Sequence, residues 1–167
     1  LKDEASQSRA IAKNFDLLQL IDSTVEDFNL DTVNQKKNIK FNFDNSQKLK
    51  KAVIFGIESR IEQVIANLLD NAVSFSPNNS EILIKINLEK NNFKILIVDQ
   101  GPGFDKNNLD KVFERFYSDR PNEQKGSHSG LGLNIVKNII DSHKGLISVY
   151  NKKDNSGAIV DISLPSV

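Results

Sequence analysis

Two asparagines, Asn67 and Asn71, are spaced so that they would lie one helical turn apart on the same side of a helix. They fall in a segment from about Ser59 to Phe75, where apolar residues recur with helical spacing and predict a long helix. A carboxamide offers a neutral oxygen to a cation and an N–H donor to a phosphate. The pair is therefore a candidate site for metal and phosphate, although the chain has 20 asparagines and about two such pairs are expected by chance.

A carboxylate followed by glycines forms the second candidate, Asp99-Gln-Gly101-Pro-Gly103-Phe104-Asp105. It follows the apolar strand pattern of residues 94–98. A carboxylate at a strand end can accept a hydrogen bond from the exocyclic amine of adenine. Glycines let the backbone turn sharply and let a flat base approach without Cβ interference. The alternative is an ordinary turn, because turns favour the same residue types.

The third candidate is a glycine-opened helix that begins at Gly130-Leu131-Gly132-Leu133, directly after Ser129. Unpaired backbone N–H groups and the positive end of the dipole make such a helix start a site for anions. The spacing matches neither the Walker nor the Rossmann glycine pattern. The alternative is that the glycines only let this helix pack closely on its neighbours.

An aromatic segment, Phe113-Glu-Arg-Phe116-Tyr117, lies between these candidates. Residues 100–129 are polar, contain Gly and Pro, and predict at most one short helix near residues 109–116. We interpret about 105–129 as a lid. His128 is a candidate phosphate donor, with a solvated lid residue as the alternative. His143 falls on an apolar helix stripe, which predicts a packed, hydrogen-bonded core histidine rather than a catalytic one.

The rest of the chain predicts the helices and strands on which these groups lie. Residues 1 to about 35 predict one helix, in which residues 1–14 are polar and lack any starting signal. The predicted strands are 39–43, 52–55, 82–88, 93–98, 146–150 and 158–164, and the last predicted helix is 131–143. Strands on one side and helices on the other predict an α+β two-layer sandwich.

Composition limits the class of protein. A chain of 167 residues with 38% hydrophobic residues fits one globular domain. Lys plus Arg and Asp plus Glu are 22 each, so no overall field attracts nucleic acid. The absence of cysteine excludes disulfides and thiolate metal sites, and no apolar run approaches the ~20 residues of a membrane span.

Taken in order, the segments NLLDNAVSFSP, VDQGPGFD, VFERFYSDRP and SGLGLNIVKNIIDSHKG resemble the N, G1, F and G2 boxes of the catalytic ATP-binding domain of sensor histidine kinases, in the GHKL ATPase superfamily. The resemblance covers about residues 15–165. It implies the Bergerat-type fold, with a mixed, mostly antiparallel sheet covered by helices on one face. It also implies ATP and Mg as ligands.

The resemblance assigns roles to single residues. Asn67 would be the magnesium ligand, Asn71 would contact the metal or the phosphates, and Arg115 and Arg120 would be phosphate-side cations that assist catalysis. Asp99 would bind the adenine amine, Gly103 would contact the base through water, and Phe75 would stack near adenine. Phe113 and Phe116 would anchor the lid. The implied cofactor-binding set is Asn67, Asn71, Phe75, Asp99, Gly101, Gly103, Phe116, Ser129, Gly130, Leu131, Gly132 and Leu133.

The chain also departs from the family pattern. Ser74 stands where many members carry Lys, so that phosphate contact would be either absent or supplied by Arg120, Lys125 or His128. The glycine pair often found before the G2 box is diluted in residues 126–129. Asn67 stands where hydrolytic relatives have a water-activating glutamate, which predicts poor hydrolysis.

The resemblance further implies an acceptor histidine on a helical hairpin that this chain lacks. We therefore expect the ATP-binding half of a histidine kinase, with residues 1–14 as the stub of the preceding dimerisation and phosphoacceptor helix and 15–167 as the catalytic domain. Expected partners are that hairpin domain and a downstream response regulator, with the parent protein anchored in the inner membrane and the fragment itself monomeric. The alternatives are a degenerate binding module that does not transfer phosphate and an anti-sigma-type serine kinase.

Overall fold

Seven strands and four helices make up the described parts of the chain. The computed structural model describes residues 10–115, 132–154 and 156–167. The elements are β1 (Lys13–Asp16), α1 (Leu17–Leu30), α2 (Thr32–Lys37), β2 (Lys40–Asp44), β3 (Val53–Gly56), α3 (Glu58–Phe75), β4 (Glu81–Glu89), β5 (Asn92–Val98), a 3-10 turn (Lys106–Asn108), α4 (Gly132–Ser142), β6 (Leu146–Asn151) and β7 (Ala158–Pro165). None of the helices in these ranges is both long and apolar enough to cross a membrane.

The main sheet has five strands in the order β2-β4-β5-β7-β6. Strand β2 runs parallel to β4, and every other neighbouring pair is antiparallel. The hairpin between β4 and β5 turns at Lys90, whose φ of 55° is in the left-handed region. Buried residues alternate along β4, β5 and β7, as expected for a sheet with one face against a core. The predicted mixed, mostly antiparallel sheet is confirmed.

Helix α3 contributes the largest apolar stripe to the layer that covers this sheet. Its inward residues Ile61, Val64, Ile65, Leu68, Leu69 and Ala72 are all buried. Each buried Leu or Ile side chain contributes about 1.5–3 kcal/mol. Helix α3 contacts α1 and α4 on its two sides, and strand β5 beneath it. This arrangement confirms the predicted α+β two-layer sandwich.

The single N-terminal helix predicted for residues 1 to about 35 is wrong. Lys13–Asp16 forms β1, in which Phe15 lies opposite Ile54 of β3 in a separate two-stranded sheet. The Asp16 side chain caps the start of α1, and its Oδ1 also accepts a hydrogen bond from the Ala52 N–H (3.0 Å). Because this aspartate satisfies N–H groups of both segments, the helix begins at Leu17 rather than further upstream.

A second aspartate divides the rest of that predicted helix. Asp31 ends α1 and caps α2, where its Oδ1 accepts hydrogen bonds from the N–H groups of Val33 and Asn34. The short helix predicted near residues 109–116 is also misplaced, since the helical turn lies at Lys106–Asn108, capped by Asp105. The other predicted helices and strands agree with the structure to within one or two residues, apart from Leu131, which lies outside the described residues.

Candidate functional site

A cleft opens between the C-terminal half of α3, the loop after β5, the start of α4 and strand β7. Its lining residues are Leu68, Asn71, Ala72, Phe75, Ile97, Asp99, Gly103, Phe104, Leu133, Ala158 and Val160. Most of this lining is apolar, and Asp99 and Asn71 are its polar side chains. An apolar cleft with a few placed polar groups is typical of a small-molecule site.

Asp99 is the buried carboxylate of this cleft, with 7% of its surface exposed. Its Oδ1 accepts hydrogen bonds from the N–H groups of Gly101 and Ala158, both at 3.0 Å. Burial raises the pKa of the Asp99 carboxyl, and these two hydrogen bonds and the charge of Lys152 oppose that rise. Within residues 10–115, 132–154 and 156–167, no donor contacts Oδ2. The cleft therefore holds a fixed carboxylate that keeps one oxygen for a donor on a ligand.

The loop after β5 needs its two glycines for different reasons. A Cβ at Gly101 would lie 2.6 Å from the carbonyl oxygen of Phe75, so the loop could not pack against the end of α3 with any larger residue. Gly103 has a φ of +81°, which is strained for other residues, and a Cβ there would lie 2.6 Å from Oδ1 of Asn151. The glycines thus let the backbone form the cleft wall at close range.

Asn71 lies on the side of α3 that meets α4, and helical spacing puts Asn67 one turn earlier on the same face. Both side chains are half-buried, and Asn71 lines the cleft, whereas Asn67 lies one turn earlier and outside the lining set. A Cβ on Gly132, the first residue of α4, would lie 3.8 Å from Nδ2 of Asn71. The amide of Asn71 therefore faces the N-terminus of α4, where backbone N–H groups are unpaired within the helix.

The structure gathers several of the residues named from the sequence. Asn71, Phe75, Asp99, Gly103 and Leu133 line one cleft. Gly101 is buried beside it, and Gly132 faces Asn71. Arg115 is exposed on the turn that follows the 3-10 segment. Phe116, Arg120, Ser129, Gly130 and Leu131 lie outside the described residues, as do Lys125 and His128.

The start of the predicted lid is anchored by a residue that the sequence did not single out. Val112 is 1% exposed, whereas Phe113 is half-buried. The Phe113 carbonyl accepts a hydrogen bond from the Asn134 side chain of α4 at 3.2 Å. The burial of Val112 and this hydrogen bond together fix the segment before residue 116 to the body of the domain. Val112 has the buried position that was expected of Phe113.

Sequence reasoning missed three residues around the Asp99 loop. Phe104 and Ala158 line the cleft, and Asn151 binds the backbone of Phe104 from the end of β6. Phe104 stands within the recognised Asp-x-Gly-x-Gly segment, so its position was a usable signal. Ala158 and Asn151 are far from that segment in sequence, and only the strand pairing brings them to it.

His143 is packed and hydrogen-bonded as predicted, but it is half-buried rather than part of the core. Its Nε2 accepts a hydrogen bond from the Ile57 N–H (3.0 Å), and its Nδ1 lies 2.8 Å from the Ile139 carbonyl oxygen. Because a backbone N–H only donates and a carbonyl only accepts, the ring is the neutral tautomer with its proton on Nδ1. Gly56 leaves room for this ring, since a Cβ there would overlap it. His143 therefore joins the start of α3 to the end of α4.

Comparisons with known proteins agree on one family. The family model described as histidine kinase-, DNA gyrase B- and HSP90-like ATPase matches residues 56–167. Sensor protein ChvG of Rhizobium meliloti is 36% identical over 172 residues, which cover 98% of this chain and 30% of ChvG. Sensor protein KdpD of Clostridium acetobutylicum is 43% identical over 111 residues, which cover 64% of this chain and 12% of KdpD.

A solved structure has the same architecture. The catalytic domain of histidine kinase ThkA, in a nucleotide-free form, superposes with a TM-score of 0.80 at 26% identity, covering 93% of this chain and 96% of that one. The chain thus corresponds to a catalytic domain in size, and it spans less than a third of the length of ChvG or KdpD.

Proposed function

Since the chain belongs to the histidine kinase-, DNA gyrase B- and HSP90-like ATPase family, we propose that it binds Mg-ATP in the cleft and donates the γ-phosphoryl group to a histidine on a separate helical-hairpin domain. Its relatives among sensor proteins make it the ATPase domain of a sensor histidine kinase of a two-component system. The observation that carries the proposal is Asp99, a buried carboxylate that lines the cleft and keeps one oxygen for a ligand.

The base end of the cleft fits adenine. Oδ2 of Asp99 would accept the hydrogen bond of the exocyclic amine, which is a donor. Phe75, Ile97 and Ala158 supply apolar surface for the flat ring. Gly103 lines this end of the cleft, where it would contact the base through water. Phe75, Ile97 and Ala158 are held by α3, β5 and β7, and two backbone N–H groups fix the Asp99 carboxylate, so the pocket is formed before the ligand arrives.

The phosphate end is the side where α3 meets α4. The carboxamide oxygens of Asn67 and Asn71 are suited to hold Mg²⁺ together with the phosphate oxygens, and their N–H groups can donate to phosphate. Mg²⁺, when bound there, would neutralise phosphate charge and orient the phosphoryl group. The backbone N–H groups at the start of α4, which Asn71 faces, favour an anion. Arg115 and Arg120 are the proposed phosphate-side cations.

The same helix accounts for transfer rather than hydrolysis. An amide at position 67 cannot take a proton from water, so this chain supplies no general base at that point. Catalysis would then consist of positioning and charge neutralisation, which are the main contributions in phosphoryl transfer. The phosphoryl group would be retained for a protein acceptor.

The acceptor is proposed to lie on another domain. Both ring nitrogens of His143 are engaged with the backbone of α3 and α4, which leaves neither free to attack a phosphoryl group. The proposed partners are a dimerisation and phosphoacceptor hairpin of the same parent protein and a response regulator that receives the phosphoryl group from it. We further propose that the parent protein is anchored in the inner membrane.

One experiment separates the candidate functions. The chain is incubated with γ-labelled ATP and Mg²⁺, with and without the histidine-containing hairpin of its parent protein. Acid-labile label on the hairpin histidine, lost when that histidine is replaced by Ala, supports the proposal. Acid-stable label on a serine of another protein would instead support a serine kinase. A chain that fails to bind ATP at all would support a degenerate binding module.

A further inference from the structure

Asn151, the last residue of β6, forms two hydrogen bonds through its carboxamide with the backbone of Phe104 in the Asp99 loop. Its Oδ1 accepts a hydrogen bond from the Phe104 N–H at 2.7 Å, and its Nδ2 donates to the Phe104 carbonyl at 2.8 Å. Both backbone groups of Phe104 are therefore satisfied by one side chain. This contact replaces the neighbouring strand that Phe104 lacks once β5 has ended.

The loop from Asp99 to Phe104 is tied to the sheet at both ends. At its first residue, the Asp99 N–H donates to the Ala158 carbonyl (3.1 Å), and the Ala158 N–H donates to Oδ1 of Asp99 (3.0 Å). At its last residue, Asn151 holds Phe104. Asn151 and Ala158 are directly paired across β6 and β7. The contacts at both ends of the loop thus come from the paired residues Asn151 and Ala158. This pairing sets the distance between the two ends of the loop.

Asn151 also determines the conformation of Gly103. Its Oδ1 occupies the place that a side chain on Gly103 would need, and Gly103 has a φ of +81°. Gly103 and Phe104 both line the cleft, whereas Asn151 does not. Asn151 therefore acts on the cleft through the loop, without touching a ligand.

We propose that Asn151 is a positioning residue that sets the base selectivity of the cleft, because it holds the loop that carries the Gly101 N–H, one of the two donors that fix the Asp99 carboxylate. This inference rests on the proposed binding of ATP. Guanine carries a carbonyl oxygen where adenine carries the amine, so a fixed carboxylate there repels guanine. A site built to pair with one polar group rejects a ligand that leaves it unpaired, provided that the site cannot move away.

The chain contains a matched control for this contact. Asn45, in the connection between β2 and β3, holds Leu49 with the same two hydrogen bonds, from Nδ2 to the carbonyl (2.9 Å) and from the N–H to Oδ1 (3.0 Å). Neither Asn45 nor Leu49 lines the cleft. The substitution Asn45→Ala therefore removes equivalent hydrogen bonds at a distance from the proposed site.

The test is calorimetric titration of Mg-ATP and Mg-GTP into wild type, N151A, N151D and N45A. We expect N151A to lower the ATP affinity roughly tenfold, as for one to two lost hydrogen bonds, and to reduce the preference for ATP over GTP. N151D keeps the acceptor for the Phe104 N–H but loses the donor to its carbonyl, so its ATP preference should lie between those of wild type and N151A. N45A should lower the melting temperature to a similar extent as N151A and leave the ATP preference unchanged.

Two results would overturn the inference while leaving the proposed function intact. One is an unchanged ATP preference in N151A, and the other is an equal loss of preference in N45A. Wild type that binds neither nucleotide would refute the proposed function, and this inference with it. The melting temperatures, measured on the same samples, show whether a lost affinity reflects a change in the loop or an unfolded domain.

Discussion

Helix α3 separates two concave surfaces that both contain carboxylates, and they differ in what those carboxylates contact. The cleft holds Asp99, which is buried and bound by two backbone N–H groups. The other surface, here called the acidic groove, lies between α3 and the α1–α2 corner. It is lined by Asp27, Phe28, Asp31, Val33, Asn34, Lys37, Asp70, Val73 and Ser74.

Both surfaces raise the pKa of a carboxyl, and the causes differ. For Asp99, burial raises the pKa against the opposing effect of two hydrogen bonds. For Asp70, which remains exposed, partial burial raises the pKa and the nearby Asp31 carboxylate adds to the rise. A perturbed carboxyl alone is thus a poor guide to a binding site. Fixed backbone donors on one oxygen, with the other oxygen left for a ligand, distinguish the cleft.

Side chains of the acidic groove form hydrogen bonds that stabilise the fold. Asp31 caps α2 through the N–H groups of Val33 and Asn34. Lys37 donates a hydrogen bond to the Val73 carbonyl near the end of α3, at 3.0 Å. These contacts join α2 to its neighbours. We therefore expect substitutions in the cleft to change nucleotide binding, and substitutions in the groove to change stability alone.

The substitution Asp99→Asn should separate the effect on nucleotide binding from the effect on stability most strongly. The Asn oxygen can still accept from the Gly101 and Ala158 N–H groups, but an NH₂ group replaces the free oxygen and faces the adenine amine as a second donor. We expect at least about a 100-fold loss of Mg-ATP affinity, measured by calorimetry, with a melting temperature no lower than that of wild type. Retained affinity in D99N would remove Asp99 from the site.

The substitution Gly157→Ala tests how tightly the β6–β7 turn packs beneath the same loop. A Cβ on Gly157 would overlap the carbonyl oxygen of Asp99, so the backbone must shift. We expect a loss of roughly 2–3 kcal/mol in the free energy of unfolding, measured by urea denaturation. Gly132→Ala is the control, because its Cβ would make an ordinary 3.8 Å contact with Asn71. It should be neutral or stabilise α4 by up to ~1 kcal/mol, and equal losses in both variants would contradict the packing described.

The pH dependence of stability has a definite sign at Asp99. Its pKa is raised in the folded state, so the fold binds the proton more tightly than the unfolded chain does. Stability contributed by this group is present below the unfolded pKa and is lost as pH rises through the folded pKa. D99N should therefore exceed wild type in unfolding free energy at neutral pH, and the difference should close as the pH falls toward 4. Urea denaturation across that range would contradict the account if the difference widened on acidification.

The substitution Asp70→Asn has the smallest expected effect. It removes a charge whose ionisation partial burial and Asp31 disfavour, so D70N should gain stability at neutral pH. The gain should be no more than ~0.5 kcal/mol, because Asp70 is exposed and solvent screens it. Mg-ATP affinity should not change. An affinity loss comparable to that of D99N would make the acidic groove part of the binding site.

The fold could be predicted from the sequence where the periodicity was long and regular. Helix α3 and the β4–β5 hairpin were predictable because their buried positions follow one clear period over many residues. The N-terminal region was not, because Phe15 of β1 precedes Leu18 of α1 by three residues and so continues the helical spacing by coincidence. Asp16 and Asp31 were usable N-cap signals, and weighing them would have placed both boundaries.

The site was predictable in its local motifs and unpredictable in its long-range contacts. Asp99 and its glycines are adjacent in the chain, and their chemistry can be inferred from that spacing. Asn151 binds Phe104 across 47 positions, and in a chain with 20 asparagines no local pattern marks it. Val112 was overlooked as an anchor of the lid because its neighbour Phe113 is the larger apolar residue. The structure nevertheless buries the valine.

The most direct test of the account is to map where Mg-ATP changes the backbone amide NMR signals of this 18.7 kDa chain. The predicted result is that shifts concentrate at Gly101, Gly103, Phe104 and Ala158 around the cleft and at Gly132 at the start of α4. Asp31 and Asn34 of the acidic groove should show none. Shifts confined to the acidic groove, or no shifts at saturating Mg-ATP, would contradict the assignment of the cleft as the nucleotide site.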